Sequence, residues 1–541
     1  MAASHHPPAP SVEYHLLMPM LIVFGAAVIS VLLEAFMPRR ARYASQLVVA
    51  AVGIVGGFIA IVGLAGTRRT AMSGAVAVDN AALLMQATLL VSAALGVTLM
   101  AQRSVRTARA EALVAHTVSV ESVSVSASSG GTELDYVTAQ AATEPGSDAE
   151  RLADSAGMQQ TEIFPLTLFA TGGMMVFVCA NDLLTMFVAL EVLSLPLYVM
   201  CALARRQRLA SQEAAMKYFL LGAFSSAFFL FGAAFVFGAT NTVRLPDIAE
   251  QIRIGHGDRT FLLLGLALLS VGLLFKVGAV PFHFWVPDVY QGAPTPVTAF
   301  MGAATKVAAF LALARLLLVA FPGLKDDWRP ILWIITIATM VIGSIAAITQ
   351  GDVKRMLAYS AVAHTGFILT GIIAADHDGL SAMMFYLLIY AVSTVGAFAA
   401  IGLVRGPDGQ ELTDLRQWVG LGRRSPLLGL AMSLFLLSFA GIPLTGGFIG
   451  KFAVFRACAG AGAAPLIIVG VVCSAIAAYF YVRVIVSMYF TDADPRMTSP
   501  VPMRLRPTAA VVALCAAFTL FAGVAPQVLL DMANHAAVFA P

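Results

Sequence analysis

The stretch FAGIPLTGGFIGKF, residues 439–452, lies in one of the most hydrophobic parts of the chain and yet contains Lys451. Its glycines and proline are poor helix formers. A lysine carried into hydrocarbon costs roughly 2.5–3.5 kcal/mol on insertion scales, so its presence needs a physical reason. Local unwinding supplies one, because freed carbonyls and room for water relieve part of the ammonium's burial cost. Gly446, Gly447, Gly450, Pro443 and Lys451 then form a single device, a membrane helix broken near its middle. A second stretch has the same character. In FKVGAVPFHFW, residues 275–285, Lys276 sits five residues before Pro281.

The rest of the chain supplies the membrane context. Its 541 residues are 59% hydrophobic and 12% charged, with a mean hydropathy of +0.85. A soluble domain carries about 25% charged residues, so a soluble globular class is excluded. Apolar runs long enough to cross a bilayer number roughly fourteen. Their limits are 16–37, 45–66, 80–102, 162–180, 182–203, 212–239, 260–281, 295–321, 328–350, 354–375, 379–404, 426–449, 464–490 and 507–531. Backbone in lipid must satisfy its own hydrogen bonds, and these runs are too long for barrel strands. The expected fold class is therefore an all-α polytopic membrane protein of about fourteen transmembrane helices.

Spans four to eight and spans nine to thirteen have nearly equal length, and the fourth span of each set is interrupted by Gly and Pro. Five is odd, so the second set enters the bilayer inverted. Interrupted helices at matching positions of inverted repeats point to an ion or substrate path. The expected organisation is a tail and three helices in 1–102, a polar, flexible cytoplasmic loop in 103–160, a first five-helix repeat in 161–324, its inverted copy in 325–495, and a last helix and tail in 496–541. Basic residues concentrate in the odd-numbered connections, including Arg39, Arg205, Arg206, Lys354, Arg423 and Arg424. Positive-inside reasoning places those connections in the cytoplasm and both termini on the outer side of the plasma membrane.

Several features carry no chemistry. Cys179, Cys201, Cys458, Cys473 and Cys515 are scattered through apolar runs and read as small buried hydrophobes. His5 and His6 read as a floppy tail and not as metal ligands, and no signal peptide is expected at the N-terminus. There is no metal-ligand spacing, cysteine cluster, dinucleotide fingerprint or P-loop, so no cofactor is expected on this chain.

Six basic residues fall inside spans: Lys217, Lys276, Lys306, Arg315, Lys451 and Arg483. Lys306 lies about 16 Å into its span, close to mid-membrane, and Glu191 lies at similar depth in the fifth span. A carboxylate near an ammonium lowers the cost of burying both, and a lysine out of water gives up its proton more readily. His364 is mid-span in the tenth helix and has an ordinary pKa near neutrality. Arg315 and Arg483 stand toward span ends, where snorkelling to a headgroup is the expected role. Lys217 is read either as snorkelling or as modulating a nearby glutamate. The bland alternative for Glu191, Lys276, Lys306 and Lys451 is static helix glue; four such groups at mid-depth favour function.

VPFHFWVPDVYQGAPTPVTAF (280–300), DVKRMLAYSAVAHTGF (352–367) and GIPLTGGFIGKF (441–452) closely resemble the antiporter-like subunits of NADH-quinone oxidoreductase, respiratory complex I. The phrase PDVYQGAPTPV and the lysines in FMGAATK and GFIGKF match the N-type branch of that family. The likeness is strong over about 160–495 and absent from the 103–160 loop. It implies a proton-translocating subunit whose path runs through Glu191, Lys276, Lys306 and Lys451, with His364 and Lys217 as relay or modulator and with Pro281 and Pro443 at the helix breaks. It further implies FMN, iron–sulfur clusters and quinone in other subunits, and partnership with the antiporter-like M and small K- and J-type subunits and with lipids, not with nucleic acid. On this expectation quinone reduction elsewhere shifts charge along the membrane arm and disturbs a Glu191–Lys276 pair. Lys276 then passes its proton through Lys306 and His364 to Lys451, with no redox chemistry on the chain itself. The alternatives are a subunit of a multi-subunit cation/proton antiporter or of a membrane-bound hydrogenase arm, and a structural scaffold without its own path.

Overall fold

The computed structural model describes residues 12–102, 160–204, 208–406, 410–492, 501–502 and 506–540. The polar loop expected over 103–160 falls almost wholly outside the described residues, as do His5 and His6.

Among the described residues the chain forms nineteen α-helices. The first group is α1 (Tyr14–Phe36), α2 (Arg39–Gly63), α3 (Asn80–Met100), α4 (Ile163–Cys179), α5 (Leu183–Cys201), α6 (Arg208–Thr240) and α7 (Leu245–Arg253). Next come α8 (Arg259–Val277), α9 (Trp285–Gly292), α10 (Thr295–Arg315), α11 (Lys325–Ile348), α12 (Val353–Ala374) and α13 (His377–Gly402). The last group is α14 (Leu421–Arg424), α15 (Pro426–Ala440), α16 (Gly446–Gly460), α17 (Ala464–Phe490), α18 (Arg506–Val524) and α19 (Gln527–Ala536). Twelve helices are long and apolar enough to cross a membrane, and α4 and α15 are shorter apolar helices. Each of the fourteen runs read from the sequence holds one of these. The second begins earlier than read, at Arg39 instead of residue 45, because a helix satisfies its backbone whether or not its first turn is charged.

Strands are confined to connections. β1 (Arg69–Ala71) pairs antiparallel with β2 (Val76–Val78), and β3 (Val404–Arg405) with β4 (Val501–Pro502). The 72–74 turn between β1 and β2 receives the N-terminal end through the Met72 N–H, which donates to Glu13. Arg68, just before β1, donates to the Phe539 carbonyl near the other end of the chain. Both described termini therefore sit on one side of the bundle, called the terminal end here. Residues 293–295, 349–352, 403–406 and 410–425 lie at the opposite end, where Lys354 bonds Ala293 and Thr295, Thr295 bonds Glu411, and the Val353 N–H donates to the Thr413 carbonyl.

The interior is built from α10, α12 and α13. The apolar windows of these helices are 89, 94 and 100% buried, against 33% for α17, so they form the inner layer. α10 packs on α3 and α13, and α12 on α11 and α16.

The two Gly/Pro stretches end helices. α8 stops at Gly278 and α15 at Gly441, each in the left-handed region with φ of 77° and 81°. A residue with a Cβ pays roughly 1–2 kcal/mol to stand there, which explains glycine at both positions. Pro281 and Pro443 lie in the non-helical segments that follow, before α9 and α16 resume. A side chain on Gly447 would strike the Ser438 carbonyl, so α16 starts pressed against the last turn of α15.

Candidate functional site

The end of a helix leaves carbonyls without partners, and its dipole favours a cation there. At the first break those carbonyls are taken by residues from elsewhere. Trp285 Nε1 donates to the Phe275 carbonyl at 2.9 Å. Lys306, from α10, donates to the Val277 carbonyl at 3.0 Å, to the Ala361 carbonyl at 2.7 Å and to the Thr365 hydroxyl. Lys306 thus ties the end of α8 to the middle of α12.

Lys276, in the last turn of α8, is buried and its Nζ has no hydrogen-bond partner among the described residues. It lies 5.3 Å from the centre of the Tyr198 ring and 5.1 Å from that of Tyr218, a cation–π slot between α5 and α6. The hydroxyls of both tyrosines and one carboxylate oxygen of Glu191 are also buried without partners. Glu191 stands on α5 two turns before Tyr198. Among the described residues no ion pair joins Glu191 to Lys276, so the expected pair is not a direct contact. A buried polar group left unpaired costs about 1–3 kcal/mol, and Lys276, Tyr198, Tyr218 and Glu191 concentrate four such groups here.

The second break holds its lysine differently. Lys451 reaches back from α16 to the end of α15 and donates to the carbonyls of Phe439 at 2.8 Å and Ala440 at 3.0 Å, and to the Ser474 hydroxyl at 2.9 Å. Its ammonium stands 4.6 Å from the Phe367 ring centre on α12. Between Lys306 and Lys451 lies His364, 1% exposed. Its Nδ1 is 2.8 Å from the Tyr386 hydroxyl and its Nε2 is 3.2 Å from that of Tyr481, which bonds in turn to Ser360. The Tyr390 ring flanks both His364, at 5.2 Å between centres, and Lys306, whose Nζ is 5.8 Å from it. α12 thus touches Lys306, bears His364 and faces Lys451. Such a row of basic groups, with tyrosine and threonine hydroxyls about Lys306 and His364 and phenyl rings before Lys451, is able to exchange protons when neighbouring groups reorient or water enters.

Three sequence expectations change. Lys217 does not meet Glu191; it pairs with Asp288 at 2.8 Å and Glu213 at 2.7 Å and is 43% exposed. Asp288 on α9 also accepts from Arg355 at 2.7 Å. Burial alone would raise the Asp288 pKa, but its bonds and charges with Lys217 and Arg355 outweigh that and hold it below the usual carboxylate value. Arg315 does not snorkel. It is fully buried, bidentate to Asp79 at 2.9 Å, and lies beneath Phe539 of the C-terminal segment. Arg483 bonds the carbonyls of Ile348 and Gln350 at 2.8 and 2.7 Å and so caps α11. The reason is common to all three: each has a fixed acceptor on another element. Sequence reading also missed Asp79, Asp288 and the buried Lys354. The signal for Lys354 was present in DVKRM, where it stands within one turn of the Asp352 cap.

Comparison with known proteins places this geometry. Residues 180–477 match the family described as NADH:quinone oxidoreductase/Mrp antiporter, TM. NADH-quinone oxidoreductase subunit N of Mycobacteroides abscessus is 60% identical, covering 98% of both chains. That of Rhodococcus opacus is 58% identical over 100% of this chain and 98% of the relative. A chain of respiratory complex I from Thermus thermophilus is 32% identical with a TM-score of 0.73, over 96% of this chain and 100% of that one. A chain of the Mrp complex from Dietzia sp. shares the fold at a TM-score of 0.76 and 20% identity, over 97% of each. The chain belongs to the subunit N family of NADH-quinone oxidoreductase, the antiporter-like, proton-translocating membrane subunits of respiratory complex I.

Proposed function

We propose that the chain moves protons through Lys276, Lys306, His364 and Lys451 in that order, with Glu191 setting the charge beside Lys276, driven by quinone reduction in other subunits. The observation that carries this reading is the shared surface of α12, against which Lys306, His364 and Lys451 are all placed. Lys276 is the loading group, since its ammonium has no acceptor to hold its proton. A change of charge beside Glu191 alters the field at Lys276, and its proton moves toward Lys306 at the adjoining helix end. The phenyl rings of Phe367 and Phe439 line the step from His364 to Lys451, so that step requires side-chain movement. Moving one charge against 100 mV costs about 2.3 kcal/mol, comparable to rearranging one such contact.

The two breaks belong to two inverted five-helix repeats on this reading, with release on the outer side of the plasma membrane and both termini facing outward. The partners are other membrane-arm subunits, among them antiporter-like M and small K- and J-type subunits, and lipids. In the intact complex, Lys276→Ala and Glu191→Ala are each expected to depress proton pumping and coupled quinone reduction together. Wild-type pumping in both variants would end the proposal.

A further inference from the structure

Lys354 opens α12 and is 4% exposed, although its sequence position suggests a connection. Its Nζ donates to the Ala293 carbonyl at 2.9 Å, capping the end of α9, and to the Thr295 hydroxyl at 3.1 Å. Thr295 donates in turn to Glu411 Oε2 at 2.5 Å. Glu411 stands in the 403–425 connection at the end of the bundle away from the termini, with its side chain 18% exposed and Arg405 3.4 Å from its other oxygen. A surface-accessible carboxylate, a hydroxyl and a buried amine thus form one continuous hydrogen-bonded chain. It leads inward along α10, whose first residue is Thr295. The hydroxyl of Tyr290 lies 3.1 Å from where a Cβ on Gly302 would stand, one helical turn before Lys306. Lys306 is eleven residues beyond Thr295, about 16 Å along the helix.

We propose that Glu411, Thr295 and Lys354 form a second proton-uptake route that reprotonates Lys306 directly, a step that each pumping cycle requires as it requires Lys276. This rests on the proton-carrying reading above. In the bonded arrangement Lys354 is an ammonium and Glu411 a carboxylate. When Lys354 passes a proton inward past Tyr290 to a neutral Lys306, its amine accepts the Thr295 proton. Thr295 takes one from Glu411, which has first been protonated from water and is left a carboxylate. One proton enters and one leaves, and Thr295 ends unchanged. Lys354 serves in this step as an acid and then a base, which arginine cannot do because it does not release its proton at usable pH.

The test is made on the intact complex in vesicles, reading pumping by a pH-sensitive dye. Lys354→Arg keeps the charge and the cap on α9, and Glu411→Gln keeps an acceptor for Thr295. Both are expected to assemble and to lose at least fivefold in pumping rate, with the Glu411→Gln loss recovered by millimolar formate, a small acid that replaces the missing carboxyl. Wild-type pumping in either assembled variant overturns the route. A loss in Glu411→Gln that formate does not recover assigns the network to structure and also overturns it. Should Lys354→Arg fail to assemble, Glu411→Gln with formate decides alone. Lys276→Ala run alongside separates the two claims. Normal pumping there and in Glu191→Ala removes the parent reading, whereas a loss there with normal pumping in the other two removes only the uptake route.

Discussion

At the break after α8, Lys276 has no hydrogen-bond acceptor; at the break after α15, Lys451 has three. Both breaks begin with a left-handed glycine, contain a proline and carry a lysine beside them. The difference lies in which side of the break the lysine stands. Lys451 follows its break and folds back onto the helix end, where the dipole and two carbonyls receive it. Lys276 precedes its break, in the last turn of the helix, and points between two tyrosine rings. The carbonyl it leaves free is taken by Lys306. One lysine is therefore anchored and the other is left poised, though the local sequences are alike.

The comparison is most sharply tested by removing Lys451. Lys451→Met strands the Phe439 carbonyl and leaves that of Ala440 with the Ser474 hydroxyl alone, so it is expected to destabilise the assembled subunit by about 1–3 kcal/mol as well as to stop pumping. Thermal unfolding of the purified complex checks it, and an unchanged melting temperature would mean that the anchor carries no weight. Lys276→Met is the counterpart. It is expected to abolish pumping by tenfold or more while leaving the melting temperature unchanged or raised, because an apolar chain of similar shape replaces a desolvated charge. A clear drop in stability would show that Lys276 is held after all.

Gly441→Ala probes the second break without touching its charge. The left-handed backbone costs roughly 1–2 kcal/mol, and the new methyl meets Lys451 Cδ at 3.0 Å. Stability is expected to fall by about that amount, with a partial loss of pumping; Gly278→Ala carries the same backbone penalty but meets Val286, not a lysine. Tyr481→Phe removes the hydroxyl shared by Ser360 and His364 and is expected to cost about 1 kcal/mol and slow pumping a few-fold, read by the same two assays. The smallest effect concerns Asp288. Its lowered pKa means that the stability from its pairs with Lys217 and Arg355 is present above the ordinary carboxylate value of about 3.9 and is lost as pH falls through the lowered one. Asp288→Asn should flatten that acid limb in a pH series of melting temperatures.

Much of this protein is legible in its sequence because the bilayer imposes a length and a polarity on every spanning segment. The apolar runs mark the helices to within a few residues at most ends, and the Gly/Pro clusters mark both breaks, since helix termination is a local matter. Glu191, Lys276, Lys306, His364 and Lys451 stand out because charge inside such runs is costly. What the runs do not reveal is who satisfies whom. Arg315 meets Asp79 across more than two hundred residues, Lys306 meets the end of α8 and the middle of α12, and Lys354 is buried by α9 and α10. Those partnerships depend on which helix faces are brought together, and the hydrocarbon-like outer faces are too alike for composition to choose among them. Helix number, helix breaks and the presence of buried charge were thus set by local physics. The division into an anchored lysine and a poised one was decided only by packing, because a hydrogen-bond acceptor has to arrive from another helix.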